Sequence, residues 1–447
     1  MTAETIYALS SGRGRAGIAI VRLSGPVAWT VAETLTGRAP RDRHAIRCKM
    51  RDPETGELLD EGLCLGFAGP ASFTGEDIAE LHLHGGLAVV DAMLGVLGGM
   101  PGVRLAEAGE FTRRAFENGR MDLTAAEAIG DLIDAETAAQ RRQALRQGGG
   151  GLAGLCDDWR DRLVTALAHW EAAIDFSDEE LPADLEDQTA HRLTALRDEI
   201  AGHLDDRGAG ERLRDGVHLA IIGPPNAGKS SLLNCLAARD VAIVAETAGT
   251  TRDILEVHLD LGGYPVIAAD TAGLRDSDEP VEREGVRRAL VRAGASDLRL
   301  AVFDAARWPE QWAGFEDHLD DACLVAVNKI DLTEPDLTAG PAGVECLGVS
   351  VKSGTGIDLL LRRLENKVSA GYEAAAAPVI TRARHREALT DCVAALVRFL
   401  ARTDRMAHPE IAGEDLRLAA RAVGRVTGRV GVEDLLDVIF SEFCIGK

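Results

Sequence analysis

The chain has 447 residues, 46% of them hydrophobic, enough for roughly two to four domains with real cores. Its 49 Lys and Arg stand against 72 Asp and Glu, and a formal net charge of −23 excludes a protein that coats nucleic acid non-specifically. A nucleic-acid substrate would need a local basic patch or a partner protein. The eight cysteines (48, 64, 156, 235, 323, 346, 392 and 444) include no C-x-x-C pair, which reads as reduced thiols rather than a disulfide framework or a zinc site. Met1-Thr-Ala-Glu-Thr-Ile-Tyr7 has neither a basic nor a long apolar leader segment, and the apolar window Leu87–Met100 is too short and Gly-rich to span a bilayer. A soluble, cytoplasmic protein is expected, with no membrane partner.

Residues 1–118 read as an α+β domain. Ala16-Gly-Ile-Ala-Ile-Val-Arg-Leu23 is strand-like, and Ala79-Glu-Leu-His-Leu-His84 alternates. Alternation places Glu80, His82 and His84 on one face, opposite Leu81 and Leu83. A solvated or ligand-facing strand surface is favoured over a metal site, because no third ligand at metal-like spacing is visible. Ser11-Gly-Arg-Gly-Arg-Ala-Gly17 is Gly-rich but weak evidence for an anion loop.

Residues 119–215 turn helical. Leu123–Asp134 has apolar residues at helical spacing, with Thr124 and Glu127 read as a capping box. Helical patterning continues through Trp159–Trp170 and from Leu185 to about Leu213, broken by a turn or bend at Gly148–Gly151. Residues 216–371 alternate short apolar runs (Val217–Ile222, Val266–Asp270, Leu300–Phe303, Leu324–Asn328, Leu347–Ser350) with helical stretches, the last from about Ile357 to Ser369. That is the pattern of a mostly parallel sheet with helices on both faces. Residues 372–447 are helical again up to Phe443. A nucleotide-binding unit between two helical stretches implies one helical domain assembled from both flanks and interrupted by an insertion. Arg417, Arg421, Arg425 and Arg429 recur at four-residue spacing, a solvated face by default and the best candidate stripe for RNA phosphates.

Gly223-Pro-Pro-Asn-Ala-Gly-Lys-Ser230 is a phosphate-binding loop, G-x-x-x-x-G-K-S, between a buried strand and a helix beginning at Ser231. Glycines let backbone N–H groups turn onto the phosphates, Lys229 reaches the β/γ oxygens, and the Ser230 hydroxyl binds Mg²⁺. The helix N-terminus faces the anion. Four more motifs follow in order. Gly249-Thr-Thr-Arg-Asp253 is a first switch, and Asp270-Thr-Ala-Gly273 holds Mg²⁺ through water and senses the γ-phosphate. In Asn328-Lys-Ile-Asp331, Asp331 accepts from the guanine N1–H and N2–H₂, and Ser350-Val-Lys352 closes over the base. GTP and GDP are therefore the expected nucleotides. The glutamine that orients water in many GTPases is replaced by Leu274, so another acid among Asp276, Asp278, Glu279, Glu282 and Glu284 must serve, with positive charge from a monovalent cation or a partner.

Beyond the nucleotide motifs, four blocks carry a family resemblance over nearly the whole chain. They are Gly12-Arg-Gly14 with Ile20-Val-Arg-Leu-Ser-Gly25; Ser72-Phe-Thr-Gly-Glu-Asp77 running into Leu83-His-Gly-Gly86; Gly109-Glu-Phe-Thr-Arg-Arg-Ala-Phe-Glu-Asn-Gly119; and Phe443-Cys-Ile-Gly-Lys447. The chain resembles the MnmE (TrmE) family of tRNA-modification GTPases. The resemblance implies a homodimer whose N-terminal domain binds a tetrahydrofolate derivative. It further implies work with the FAD-dependent partner MnmG (GidA), in a heterotetramer-type complex, to modify C5 of the wobble uridine of certain tRNAs. Folate contacts fall on Arg22, Glu80, Arg120 and Lys447; Arg120 stands where Lys is usual, keeping charge while changing geometry.

The resemblance also implies activation by K⁺ and by pairing of the nucleotide domains. Asn226 and the segment Ala245, Glu246, Thr247, Ala248, Gly249 and Thr250 would hold the ion (Asn226, Ala245, Thr247 and Thr250 as ligands), with Thr251 joining Ser230 on Mg²⁺. Ala245 stands where Thr is common, so its ligand would be a backbone carbonyl. Nucleotide contacts extend over Asn226, Ala227, Gly228, Lys229, Ser230, Ser231, the same segment from Ala245 to Thr251, Asp270, Thr271, Ala272, Gly273, Asn328, Lys329, Asp331, Ser350, Val351 and Lys352. Glu282 would orient water, making Glu282, Lys229 and Cys444 the catalytic candidates. Cys444 matches the family's C-terminal cysteine, with a buried small apolar residue as the alternative. The Cys-Ile-Gly-Lys tail is not a prenylation signal. A K⁺-dependent GTPase in tRNA modification is favoured over a regulatory GTPase switch in ribosome assembly that binds RNA without modifying it, because no G-x-x-G RNA-binding module follows the nucleotide domain. A free-standing folate enzyme would leave that domain without purpose.

Overall fold

A computed structural model describes residues 4–175, 185–239, 241–243, 256–270, 294, 296–312, 314–373, 379–403, 405, 408–431, 433–441 and 443–446. The chain divides into two compact units, Met1–Gly130 with Gln147–Thr189 and Ala394–Lys447, and Asp131–Arg146 with Ala190–Val393.

The first unit begins with six strands: β1 (Thr5–Leu9), β2 (Ala16–Ser24), β3 (Ile46–Arg51), β4 (Leu58–Phe67), β5 (Ile78–Gly85) and β6 (Val103–Leu105). Their order is β3-β4-β5-β2-β1-β6, with β1/β6 parallel and the other neighbours antiparallel. Helices α1 (Ala28–Thr36) and α2 (Leu87–Gly99) cover one face, and their Val31, Leu35, Met93 and Leu97 pack with Val21, Leu23, Met50, Leu81 and Leu83. The alternation in β5 has the expected sense. Leu81 and Leu83 are buried, Glu80 and His82 are half-buried, and His84 is exposed. Helix α3 (Glu110–Glu117) then leads into the helical part, α4 (Leu123–Ile133), α5 (Ala138–Gly148), α6 (Gly151–Asp175), α7 (Leu185–Leu204) and α8 (Ala209–Asp215).

The capping box is displaced. Asp122, not Thr124, caps α4: its Oδ1 accepts from the Ala125 N–H at 2.9 Å and from the Thr124 hydroxyl at 2.7 Å. Thr124 and Glu127 are buried inside the helix. An aspartate two residues earlier starts the helix sooner and caps the Ala125 N–H, which leaves Thr124 within the first turn.

The second unit carries β7 (Val217–Ile222), α9 (Lys229–Ala237), β8 (Glu256–Leu261), β9 (Tyr264–Asp270), β10 (Leu298–Asp304), β11 (Cys323–Asn328), β12 (Cys346–Gly348) and α10 (Ile357–Glu373). The sheet order is β12-β11-β10-β7-β9-β8, parallel throughout except for β8 against β9. β8 was not expected; Gly262-Gly263 between two β-rich runs is the hairpin signal that marks it.

After this unit come α11 (Ala383–Ala401), α12 (Pro409–Thr427) and α13 (Glu433–Ser441). Helices α6 and α12 lie on opposite sides of the nucleotide-binding stretch in sequence yet pack side by side. Trp170 on α6 donates its indole N–H to the Pro409 carbonyl at 2.8 Å and meets Phe399 edge-on at 5.1 Å. Helices from both flanks of the second sheet thus pack together in the first unit. Among the described residues no helix is long and apolar enough to cross a membrane.

Trp170 is 3% exposed. Trp170→Ala should lower stability by about 3–5 kcal/mol through a cavity and a lost hydrogen bond. Trp170→Phe, which keeps most of the ring, should cost about 1–2 kcal/mol. Urea titration followed by circular dichroism checks both; an unchanged Trp170→Ala midpoint would show that the two segments do not depend on this contact.

Candidate functional site

The phosphate loop leaves β7, whose inner positions are buried, and turns through Gly223 (φ 139°), Asn226 (φ 62°) and Gly228 (φ 98°) into α9. Two of its glycines are required by packing as well as by backbone angle. A Cβ on Gly223 would run into the Val302 carbonyl, and one on Gly228 into Nδ2 of Asn328. Lys229 opens α9, is 8% exposed, and donates its ammonium to the Pro224 carbonyl at 2.9 Å, within the loop it serves. Ser230 and Ser231 follow on the exposed side. Asp270 ends β9 in register with Ile221, so the second switch begins next to the phosphate loop.

The far end of the site is held by one amide. Asn328 closes β11, is 3% exposed, and donates from Nδ2 to the Ala227 carbonyl at 2.9 Å. Its Oδ1 accepts from the Lys329 N–H at 2.8 Å and the Val351 N–H at 3.3 Å. Three of the motifs legible in the sequence are thereby tied at one side chain. Lys329 lies across the phosphate loop, its ammonium 2.9 Å from the Asn226 carbonyl and 2.7 Å from Asp304 Oδ2. Asp331 is exposed, with Oδ1 accepting from the Ser350 hydroxyl at 2.7 Å. Val351 is half-buried and Lys352 exposed beside it.

Asp304 was missed in the sequence, though an aspartate ending an apolar strand of a parallel sheet is a signal for this edge. Burial opposes its ionisation, but the Lys329 ammonium and the Ala306 N–H outweigh that and hold its carboxyl below the usual range.

Asn226, Ala227, Gly228, Lys229, Ser230, Ser231, Asn328, Lys329, Asp331, Ser350, Val351 and Lys352 thus gather at the carboxyl ends of β7, β11 and β12, where ligands bind open α/β sheets. Ala245, Glu246, Thr247, Ala248, Gly249, Thr250, Thr251, Thr271, Ala272, Gly273, Glu282 and Lys447 lie outside the described residues, as does the Asp270 side chain.

A second cluster lies in the N-terminal sheet. Arg22 on β2 and Glu80 on β5 are direct cross-strand neighbours, joined at 2.9–3.0 Å. The Arg22 guanidinium sits over the rings of Phe73 (5.6 Å) and Phe111 (5.8 Å). Glu80 also meets His82 Nε2 at 3.3 Å; that bond and Arg22 hold its carboxyl below the usual range against the opposing effect of burial. A cavity of about 300 Å³ opens here, lined by Arg22, Glu80, Arg43, Phe67, Phe73 and Ile78 among others. Arg120 is exposed beyond the end of α3 and does not line it.

His84 pairs with Asp60 at 2.8 Å rather than with His82's partner. Among the described residues no group of three His, Cys, Asp or Glu is placed to hold a metal ion.

The C-terminal tail folds back onto this domain. Ile445 bridges Ala108, Ser10 donates its hydroxyl to the Gly446 carbonyl at 2.9 Å, and a Cβ on Gly446 would strike the Leu9 carbonyl. Cys444 is exposed, which overturns its reading as a buried small residue.

The arginine stripe is partly neutralised. Arg417 pairs with Glu171 at 2.8 Å, and Arg429, which lies past the α12 C-cap Gly428, pairs with Asp157 at 2.8 Å. Both acids come from α6, so part of the stripe braces helices instead of facing solvent.

Two family profiles match: "GTP-binding protein TrmE N-terminus" over residues 5–120 and "MnmE helical domain" over residues 123–444. The curated protein "tRNA modification GTPase MnmE" of Paramagnetospirillum magneticum is 58% identical over 445 residues, covering 99% of this chain and 100% of that one. Its namesake in Parvibaculum lavamentivorans is also 58% identical, with the same coverage. Among solved structures, the G domain of the T. maritima FeoB iron transporter aligns with 35% of this chain and 98% of its own at 25% identity, with a TM-score of 0.27. A likeness at that score carries no weight.

Gly228→Ala forces a methyl onto Asn328 and an L-residue into φ 98°. The expected loss is about 2 kcal/mol or more from backbone strain and the broken Asn328–Ala227 bond. Thermal melting of the purified variant reads it, and an unshifted transition would contradict the packing described.

Proposed function

The chain belongs to the MnmE family of tRNA modification GTPases, and from that premise we propose a K⁺-dependent GTP hydrolase acting with an FAD-dependent MnmG (GidA) partner. The pair would install a carboxymethylaminomethyl-type group at C5 of the wobble uridine of certain tRNAs, using a folate one-carbon unit. The observation that carries the GTPase part is the Asn328 amide. It couples the phosphate loop to the base-reading segment, so that triphosphate and guanine are recognised by one rigid frame.

The chain's own residues then divide the work. Backbone N–H groups of the loop and the α9 N-terminus face the phosphates, and Lys229, which bonds the Pro224 carbonyl within the same loop, is the cation for the β/γ oxygens. Asp331, steadied by Ser350, accepts from guanine. Ser230 and Thr251 are the groups for Mg²⁺, which would supply charge neutralisation between the β- and γ-phosphates. Asn226, with Ala245, Thr247 and Thr250, is the set for K⁺. Its left-handed backbone and exposed position suit a side chain aimed out of the loop. Glu282 takes the water-orienting role that Leu274 cannot.

The N-terminal cavity fits the ring of a folate derivative. Glu80, held ionised, is an acceptor for a donor-rich heteroaromatic edge, and the Phe rings and Arg22 give it flat walls. Folate is thus assigned to Arg22 and Glu80, with Arg120 and Lys447 as the further contacts the family suggests. Cys444 on the exposed tail is the candidate for chemistry at that site. A cytoplasmic homodimer completes the proposal.

Replacing Na⁺ by K⁺ should raise GTP turnover by about tenfold or more, the equivalent of ~1.4 kcal/mol at the transition state. Equal rates would sink the ion assignment. Glu282→Ala should lower kcat by on the order of 10²-fold while the GTP dissociation constant survives; loss of both would indicate misfolding. Nucleoside analysis of tRNA from a deletion strain should lack the C5 modification. An intact nucleoside profile would instead favour the regulatory switch in ribosome assembly.

A further inference from the structure

Among the described residues four non-glycine positions adopt left-handed backbone: Arg43 (φ 55°), Arg207 (φ 53°), Asn226 (φ 62°) and Lys329 (φ 70°). Such positions are disfavoured for L-residues and persist where the surroundings over-determine them, often at binding sites. Asn226 and Lys329 belong to the nucleotide site. Arg43 belongs to the lining of the N-terminal cavity.

Arg43 is fixed from both ends. Its N–H bonds the Gly66 carbonyl at 2.8 Å, its guanidinium bonds the Ala71 carbonyl, and that plane lies 5.9 Å from the Phe67 ring centre. These contacts spread a planar cation along the rim of the cavity.

The two cations lining the cavity differ in what already neutralises them. Arg22 is paired with Glu80 at 2.9 Å, with side chains only 23% and 14% exposed. Arg43 has Asp42 at 3.9 Å, with side chains 58% and 51% exposed, a separation and exposure at which an ion pair contributes little. An incoming carboxylate therefore gains most from Arg43, whose fork matches it in two-point geometry. At about 300 Å³ the cavity is at the small end of ligand sites and takes a ring system, so the rest of an elongated ligand must leave over the rim.

We propose that Arg43 binds the carboxylate tail of the ligand whose ring occupies the Arg22–Glu80 cavity. The inference rests on the folate reading above and assigns a residue that selects ligands with an acidic tail. Its test is equilibrium titration of the full-length protein with 5-formyltetrahydrofolate and with a tail-less analogue, 5-formyltetrahydropteroic acid capped as its N-methyl amide, which keeps the ring system and carries no carboxylate. Wild type should prefer the tailed ligand by about tenfold. Arg43→Gln should remove that preference, weakening the tailed ligand about tenfold and leaving the tail-less one unchanged, and Arg43→Lys should restore part of it.

Equal weakening of both ligands would mean that Arg43 only shapes the cavity through Ala71 and Phe67, and the proposal falls. It falls also if wild type binds both ligands equally, or if Arg43→Gln keeps the preference. If wild type binds neither ligand, the folate reading itself is wrong. Thermal melting of Arg43→Gln alongside establishes that the variant is folded.

Discussion

The nucleotide-binding unit depends on a single buried side-chain amide. Asn328 uses its N–H to hold the phosphate loop at Ala227 and its oxygen to hold the start of its own motif and the Val351 backbone. A carboxylate there would repel the Ala227 carbonyl, and a leucine would leave buried backbone groups unpaired at a cost of about 1–3 kcal/mol each. A serine or threonine hydroxyl also donates and accepts, but from one atom; only asparagine carries a separate N–H donor and C=O acceptor on so short a stem. Gly228 follows from this requirement, because the amide occupies the space its Cβ would need.

Charge is organised differently. The excess of carboxylates, 72 against 49 cations, lets structural arginines be gripped by more than one acid. Arg386 bonds both Asp206 and Glu211, and Arg114 bonds both Glu76 and Glu110. Arg417 and Arg429 are drawn into the same pattern by α6. A stripe that looks like a phosphate-binding face in sequence is therefore partly closed within one helix pair. The positive charge that this stripe leaves for any phosphate is therefore smaller than its spacing suggests.

Much of the nucleotide site was legible because its motifs are contiguous and each ends a strand. A parallel sheet brings those ends to one edge whatever the loops between them do. The Arg22–Glu80 pair was less legible: 58 residues separate the two, and only the antiparallel register of β2 and β5 makes them neighbours. Asp304 was not legible as a partner of Lys329, since nothing local links residues 25 apart. The α4 cap was misread for a local reason, since Asp122 and Thr124 both suit the position and the competition between them is settled by helix geometry. β8 was overlooked because Glu256, His258 and Asp260 dilute its apolar signal at an edge strand, where one face meets water.

Left-handed backbone separates sites from scaffolding only when joined to a second observation. Arg207 has nearly the same φ as Arg43, yet it sits in the turn between α7 and α8, where a reversed residue is the ordinary way to end a helix. Asn226 and Lys329 differ because they touch each other, the Lys329 ammonium resting on the Asn226 carbonyl. Each such conformation costs on the order of 1–2 kcal/mol, and here each is held by contacts that converge on the ligand edge of the sheet. The loop that must receive a triphosphate is thus ordered from the base-reading side as well as from its own glycines. Loosening the base-reading side would be felt at the phosphates, through Asn328 and Lys329, before any change in the loop sequence itself.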